Sequence, residues 1–205
     1  MINSKICQQN FKPKEVEVKK SLGSKALIFP SPVWCIGSYD ANDRPNVMTA
    51  AWAGICCSNP PSVAVALRKA TYTYGCLVAT KAYTVSVPSR KYAAEADYFG
   101  MVSGRTVDKF KATGLTAEKA EKVHAPYVKE FSMVLECRVT HTLEIGLHTQ
   151  FIGEILDVKV DESILGTDGL PDLLLLDPFL YSAEIRRYYG VGGYMGRAYD
   201  LGKAI

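Results

Sequence analysis

Residues 44–52 read R-P-N-V-M-T-A-A-W, and this stretch decides how the rest of the chain is interpreted. It follows the turn-forming run D-A-N-D-R-P at residues 40–45. Ahead of the turn, residues 33–39 are rich in β-branched and aromatic side chains, which favours a strand. The two stretches therefore predict a β-hairpin. Met48, Ala50 and Trp52 are expected on one face of the returning strand, because side chains alternate along a strand.

The returning strand is unusual in carrying three small side chains in a row, Thr49, Ala50 and Ala51. A strand that only fills a core would more often carry Val, Ile or Leu. Small side chains let a flat ligand with polar edges approach the backbone amides. The alternative is a strand of small residues packed beneath a helix, and the strand alone leaves both interpretations open.

The composition is that of an ordinary globular protein. The 205 residues are 48% hydrophobic and 22% charged, and the net charge of +3 is too weak to indicate nucleic-acid binding. No apolar run approaches the roughly 20 residues of a membrane span, and residues 1–9 lack the apolar core of a signal peptide. We therefore expect a single cytoplasmic domain, residues 1–205, without a membrane or nucleic-acid partner.

Cysteine usage favours reduced thiols. Most of the six cysteines lie in apolar stretches, where a cytosolic thiol usually behaves as a small buried hydrophobe. The adjacent pair Cys56 and Cys57 cannot easily form a disulfide, and no C-x-x-C or Cys/His spacing occurs. No metal site is predicted. The cysteines are Cys7, Cys35, Cys56, Cys57, Cys76 and Cys137.

The order of elements predicts a mainly β protein with short helices (α+β). The strand at residues 131–142 alternates, so Glu136 and Arg138 are expected on a wet face opposite Met133. The leucines at 173–176 are expected in the core or at a subunit contact. The other predicted elements are an N-terminal arm at about 1–25 with alternation at 15–18, strands at 62–68, 83–87 and 149–160, helices at 71–80, 90–100 and 116–123, and a tight turn at 103–110 that leads into a short helical piece. The aromatic tail at about 179–205 is expected to form an interface or a lid, or to wrap over the barrel.

One corner of the predicted fold suits an anion. Arg68 ends an apolar strand, and Thr71 or Thr73 lies in the first turn of the helix that follows. The free amides and the dipole of a helix N-terminus favour negative charge. A solvated strand end and plain helix capping are the alternatives for each residue taken alone. Together the residues predict a positive, amide-rich corner of the kind that a phosphate needs.

Several motifs extend the interpretation. In chain order they are P-S-P-V-W-C-I-G-S-Y-D, R-P-N-V-M-T-A-A-W-A-G, S-N-P-P-S-V-A-V-A-L-R, A-D-Y-F-G-M-V-S-G, D-K-F, L-E-C-R-V and H-T-Q-F-I-G-E-I. In this order the chain resembles the flavoredoxin branch of the flavin reductase-like family from about residue 29 to residue 161. The resemblance implies a split β-barrel of Greek-key type that binds FMN.

The resemblance also implies a set of cofactor-binding residues. Positions that contact FMN in similar proteins correspond to Asn46, Trp52, Thr73, Lys109 and His148. The phosphate needs positive charge and amide donors, which extends the set to Arg68 and Thr71. The flavin ring needs a flat slot with polar edges, which adds Met48, Thr49 and Ala50.

The implied function is redox chemistry carried by the cofactor, with no side chain acting as acid, base or nucleophile. Lys109 or His148 is the candidate for a positive group that stabilises the reduced ring. No G-x-G-x-x-G fingerprint follows a strand, so a nicotinamide donor is expected to bind only transiently. We expect an FMN oxidoreductase that accepts electrons from NAD(P)H or a redox protein, and a homodimer with flavin near the subunit boundary. The alternatives are an FMN-binding electron carrier without its own nicotinamide turnover, and a flavin-free barrel.

Overall fold

The computed structural model describes residues 19–204 and confirms a mainly β fold with short helices. The strands are β1 (Ser31–Pro32), β2 (Trp34–Tyr39), β3 (Pro45–Ala50), β4 (Ala53–Ser58), β5 (Pro61–Arg68), β6 (Ala82–Val87), β7 (Ala117–Lys119), β8 (Pro126–Val128), β9 (Met133–Ile145), β10 (His148–Val160), β11 (Phe179–Ser182) and β12 (Arg187–Gly190). The α-helices are α1 (Tyr72–Thr80), α2 (Ala93–Met101), α3 (Lys109–Thr113) and α4 (Leu173–Leu176).

Seven strands form one antiparallel sheet in the order β3-β2-β6-β9-β10-β5-β4. The predicted hairpin is present, with Trp34 opposite Ala50 and Tyr39 opposite Pro45. The two edge strands, β3 and β4, are joined only by the bend at residues 51–52. Because so short a link cannot span an open sheet, the edges meet at this bend and the sheet closes into a split barrel.

The barrel interior is filled by side chains from six strands and from α1. Tyr83 is fully buried there, and its hydroxyl donates to the carbonyl of Val63 over 3.0 Å. Gly153 leaves the space that the ring of Tyr83 needs, since a Cβ there would lie 2.4 Å from the phenol oxygen. The buried interior residues are Ile36, Ala50, Val63, Val65, Leu67, Leu77, Tyr83, Val85, Leu135, Cys137 and Phe151.

A second apolar cluster packs an outer layer against β2 and β3. Val47 faces this cluster, whereas Met48 and Ala50 face the barrel interior, as the alternation predicts. The outer layer contains α2, α3, β8 and a small sheet in the order β1-β11-β12. Strand β3 therefore lies between two packed layers. The buried residues of the cluster are Val33, Cys35, Val47, Ala96, Phe99, Phe110, Val128, Phe131 and Phe179.

The predicted helix at residues 116–123 is wrong. Residues 117–119 form β7, which pairs with β8 in a separate hairpin. Both carboxylate oxygens of Glu130 accept from the amide of Thr116 at 3.0 Å. Glu130 therefore satisfies the amide of Thr116, which would be free at a helix N-terminus. Pairing of β7 with β8 outweighs the local preference for a helix.

The predicted wet face of β9 is also wrong at Glu136, which is fully buried. Its carboxylate accepts from the amides of Glu121 and Lys122 and pairs with Lys159 at 3.0 Å. The segment after β7 therefore covers this part of the strand. Arg138 on the same face remains exposed, as predicted.

Other predictions have mixed outcomes. The strands at 62–68, 83–87 and 149–160 and the helix at 71–80 are confirmed, whereas β4 was not predicted. Cys35, Cys76 and Cys137 are buried, but Cys56 and Cys57 are exposed on the edge strand β4. Leu176 is buried, and the other three leucines of α4 are more than half exposed. Cys7 and the alternation at 15–18 lie outside the described residues, as does most of the predicted arm.

Residues 19–204 contain neither a membrane-spanning helix nor a cluster of metal ligands. No described helix is long and apolar enough to cross a membrane. Within the same part of the chain, no three His, Cys, Asp or Glu side chains are grouped as a metal site would need.

Candidate functional site

A cleft of about 490 Å³ lies between the bend of the barrel and the outer layer. Its barrel wall comes from the end of β3, the bend, the end of β5 and the start of β10. The opposite wall comes from α2, β11 and β12. Of the ten residues predicted as a binding site, seven line this cleft, namely Met48, Thr49, Ala50, Trp52, Arg68, Thr71 and His148.

The side chains at the end of β3 are small and project little from the barrel wall into the cleft. The hydroxyl of Thr49 donates to the carbonyl of Ala96 on α2. Trp52 follows the strand and is 46% exposed. The alternative interpretation of the small residues therefore holds at Thr49, which packs beneath α2, while the rest of the wall exposes backbone and a flat ring to the cleft.

The positive corner is present at the end of β5. Arg68 is exposed and lies opposite His148 in the register of β5 and β10. Thr71 caps α1: its hydroxyl accepts from the amide of Tyr74 at 3.3 Å and donates to the carbonyl of Arg68 at 2.9 Å. A guanidinium and the N-terminus of a nine-residue helix therefore meet at the rim of the cleft.

Lys109 lies behind the cleft rather than in its lining. Only 4% of its surface is exposed, and its Nζ donates to the carbonyl of Phe99 over 2.7 Å. Phe99 precedes Gly100, which lines the cleft. Burial lowers the pKa of Lys109 to about 8, because the charged form loses its hydration. The buried ammonium of α3 therefore contacts α2 one residue before the cleft lining begins at Gly100.

Asn46 and Thr73 also lie behind the cleft. The amide nitrogen of Asn46 donates to the hydroxyls of Ser38 at 3.2 Å and Thr73 at 2.9 Å. Its carbonyl oxygen is buried and has no partner among the described residues. Gly104 covers this oxygen, since a Cβ there would lie 2.2 Å from it. Asn46 and Lys109 line a smaller polar pocket of about 250 Å³.

The outer wall contains residues that the sequence analysis did not assign to the site. Asp97 and Met101 come from α2, while Tyr181 and Tyr188 come from the C-terminal hairpin. The aromatic tail is predicted to form an interface or a lid, and Tyr181 and Tyr188 of this tail line the cleft. Tyr194 and Tyr199 lie elsewhere and are 77% and 94% exposed. A lone acid on a helix gives no sequence signal, so Asp97 was missed.

The cleft fits a flat, partly apolar ligand with an anionic end. Its volume is within the range of about 300–1,000 Å³ typical of small-molecule sites. Aromatic rings, small side chains and backbone line the middle, and Arg68 with the start of α1 lies at one end. This combination matches a flavin with its phosphate.

Comparison with known proteins identifies the class. The model of the flavin reductase-like domain family matches residues 26–190, and the chain belongs to this family of flavin-binding proteins. The structure of flavoredoxin from Desulfovibrio vulgaris (Miyazaki F) is 53% identical, with a TM-score of 0.86, over 90% of this chain and 100% of that one.

Two further proteins are similar. The structure of flavoredoxin from Methanosarcina acetivorans is 32% identical, with a TM-score of 0.85, over 91% of this chain and 98% of that one. A protein of Archaeoglobus fulgidus is 34% identical over 131 residues, 64% of this chain and 73% of the relative. The expected split barrel and the flavin reductase-like family are therefore confirmed.

Proposed function

We propose that this protein is an FMN-dependent oxidoreductase that passes electrons from NAD(P)H or a redox protein to an acceptor. The observation that carries the proposal is the composition of the cleft. Small side chains and aromatic rings line its barrel wall, and Arg68 lies beside the N-terminus of α1 at its rim. A single cation beside a single helix N-terminus suits one phosphate group, which favours FMN over a dinucleotide flavin.

In this proposal FMN supplies the electron chemistry, and the chain holds and tunes it. Arg68 and the amides at the start of α1 bind the phosphate. Trp52 and His148 contact the flat ring. Lys109, an ammonium held in a poorly hydrated position, stabilises negative charge in the ring more strongly than an exposed lysine would. Asn46 and Thr73 support the wall from behind.

We further propose that the protein is a cytoplasmic homodimer. Leu143, Ile145 and Leu147 project from the tip of the β9–β10 hairpin, and each is more than half exposed. The side chain of Ile55 on the edge strand β4 is also more than half exposed. Leu147 also lines the cleft, so a partner covering the hairpin tip would cover the flavin.

The alternative within the same site is an electron carrier that does not react with nicotinamide. The exposure of Trp52 at the cleft favours it, because a redox protein can approach a flavin bound there. The two functions differ in what reduces the flavin, while the site residues are the same.

Spectroscopy of the purified protein tests the proposal. The protein is saturated with FMN, freed of excess and mixed with NADH or NADPH without oxygen. Bleaching of the flavin bands supports the oxidoreductase. Persistent bands that a reduced redox protein bleaches support the carrier. Failure to take up FMN contradicts both and leaves the flavin-free barrel.

A pair of variants tests the phosphate corner. Arg68→Ala should weaken FMN binding about tenfold or more, as expected for a lost hydrogen bond to a charged group. Lys69→Ala is the matched control, because the neighbouring Lys69 pairs with Glu144 at 2.7 Å. Equal affinities of the two variants would contradict the assignment of Arg68.

A further inference from the structure

The outer wall of the cleft carries a hydrogen-bonded acid and phenol. The hydroxyl of Tyr188 donates to Oδ1 of Asp97 over 2.7 Å, and both residues line the cleft. Oδ2 of Asp97 makes no hydrogen bond to any of residues 19–204. This oxygen and the lone pairs of the phenol are therefore two acceptors available to a ligand.

Packing and an ion pair position this wall. The ring of Tyr188 packs edge-on against Phe179 with centroids 5.4 Å apart, and Phe179 is buried in the outer cluster. Arg90 pairs with Asp177 at 2.6 Å just before the hairpin. Burial is the main cause that raises the pKa of Tyr188, and the hydrogen bond to Asp97 adds to it. The phenol therefore stays protonated and donates its proton to the hydrogen bond with Asp97. The bond from Tyr188 thus orients the carboxylate of Asp97.

Charge is distributed unequally across the cleft. Arg68 lies on the barrel wall, whereas Asp97 lies on α2 in the opposite wall. Lys109 is buried behind α2, with its ammonium on the carbonyl of Phe99. A flavin held by the barrel wall would lie between Arg68 and Asp97, with one face toward Asp97. A second reactant stacked on that face would therefore meet a carboxylate.

Hydride transfer from a dihydronicotinamide suits this distribution. With FMN bound, the C4–H bond of the donor would break and the hydrogen would leave with both electrons to the flavin. The donor ring would be left as a pyridinium cation, and negative charge would develop on the flavin side. A carboxylate near the donor and the guanidinium of Arg68 on the flavin side would both stabilise this separation.

We propose that Asp97, held by Tyr188, binds the nicotinamide ring of the electron donor by accepting a hydrogen bond from its carboxamide NH2 group. The assignment rests on the proposed use of NAD(P)H and adds the residues that recognise the donor. It also explains how a chain without a dinucleotide fingerprint can select its reductant, because recognition is directed at the reacting ring.

The test compares two oxidised nucleotides at equilibrium, so that no turnover occurs. NAD+ carries the carboxamide, and its 3-acetylpyridine analogue replaces the NH2 group with a methyl group. Their dissociation constants are measured by calorimetry on FMN-loaded protein. The wild type should bind the analogue about tenfold more weakly, as expected for one lost hydrogen bond to a carboxylate.

Variants then assign that difference to a residue. In Asp97→Ala the ratio of the two dissociation constants should fall to about one. The loss of the negative charge affects the binding of both nucleotides equally, so this effect cancels in the ratio. Tyr188→Phe keeps the ring and loses the tether, and should give an intermediate ratio. Glu184→Ala, an exposed acid in the turn of the same hairpin, should keep the wild-type ratio.

The outcomes separate this assignment from the proposed function. An unchanged ratio in an Asp97→Ala protein that retains FMN overturns the role of Asp97 alone. Failure of the wild type to bind either nucleotide overturns both the role of Asp97 and the use of nicotinamide. A wild-type ratio near one overturns recognition of the carboxamide, whatever the variants do.

Discussion

The imidazole of His148 and the indole of Trp52 lie nearly parallel, with centroids 6.1 Å apart and 11° between their planes. Trp52 comes from the bend where the barrel closes, and His148 begins β10 beside Arg68. The closure of the sheet thus brings two flat rings next to the cation at the end of the cleft. A planar ligand with an anionic tail meets both features at once.

Removal of the imidazole should weaken cofactor binding. We expect His148→Ala to raise the dissociation constant for FMN about 5- to 10-fold, since contacts between aromatic rings contribute about 0.5–1.5 kcal/mol beyond the area they bury. Quenching of FMN fluorescence measures the affinity. His141→Ala, an exposed histidine on the neighbouring strand β9, is the control. Comparable losses in both variants would argue against a contact from His148.

The buried charge of Lys109 should lower the stability of the fold and strengthen the binding of FMN. Its pKa is lowered from 10.5 to about 8 by burial, so the unfolded chain holds this proton more tightly than the folded one between those pH values. Stability should therefore rise from about pH 8 to pH 10.5, and the burial cost is fully present below pH 8. Lys109→Met should remove this cost and raise the denaturation midpoint of the FMN-free protein at pH 7.

The same substitution should weaken FMN binding at pH 7. In the wild type, affinity should also fall as the pH rises above about 8, because the lysine loses its charge. Denaturant unfolding and FMN titration from pH 6 to pH 10 measure the two effects. Lys111→Met, an exposed lysine on the same helix, should change neither. A variant at position 109 with unaltered FMN affinity would exclude a role for this lysine in cofactor binding.

Local patterns in the sequence were sufficient for the barrel strands other than β4 and for the placement of Arg68 beside the start of α1. Alternation along residues 45–50 correctly separated Val47 from Met48, because the strand lies between two apolar layers. Arg68 and Thr71 could be placed together because only two residues separate them. The order of motifs supplied the family, and with it Lys109, which as one lysine among many has no pattern of its own.

The predictions that were wrong or missing depend on contacts between distant residues. Glu136 occupies a position that alternation assigns to solvent, and it is buried only because the segment after β7 folds over it. The helix predicted at 116–123 was wrong because β8 offers a partner strand. Asp97 belongs to the cleft only because the C-terminal hairpin packs opposite the barrel, which no local pattern encodes.

Glu136 should make the protein sensitive to acid. Burial alone would raise its pKa, but the amide of Lys122, the ammonium of Lys159 and the amide of Glu121 outweigh burial, and the pKa is lowered. Its contribution to stability is therefore complete above the unfolded pKa and lost as the pH falls through the folded value. Glu136→Gln should lower the unfolding free energy at pH 7 by about 1–3 kcal/mol, as measured in urea.

The pH dependence provides the control for that variant. The difference between wild type and Glu136→Gln should shrink as the pH is lowered, because the wild-type carboxyl becomes neutral as well. Glu144→Gln, an exposed acid near the end of the same strand, should be close to neutral throughout. A constant difference at all pH values would mean that the charge of Glu136 is not what stabilises the fold.

Gly37 should be intolerant of any side chain. A Cβ there would lie 1.9 Å from the carbonyl oxygen of Pro126 and 2.4 Å from the hydroxyl of Thr84. That hydroxyl donates to the same carbonyl over 2.6 Å, which fixes β8 against the barrel. Gly37→Ala should destabilise the protein by about 1–3 kcal/mol or more. Gly54→Ala, in β4 with open space around its Cβ position, is the control; equal effects of both would contradict this account of β8.

The hairpin tip provides the test of the proposed homodimer. Ile145 is 52% exposed beside Leu147, which lines the cleft. Light scattering on a sizing column should give twice the mass of one chain for the wild type. Ile145→Asp should lower that mass toward one chain and weaken FMN retention, because a buried unpaired charge is costly and the cleft loses its cover. Leu170→Asp, on an equally exposed leucine of a surface turn, should leave both properties unchanged. A wild type with the mass of one chain that still retains FMN would show that the cleft is complete within a single subunit.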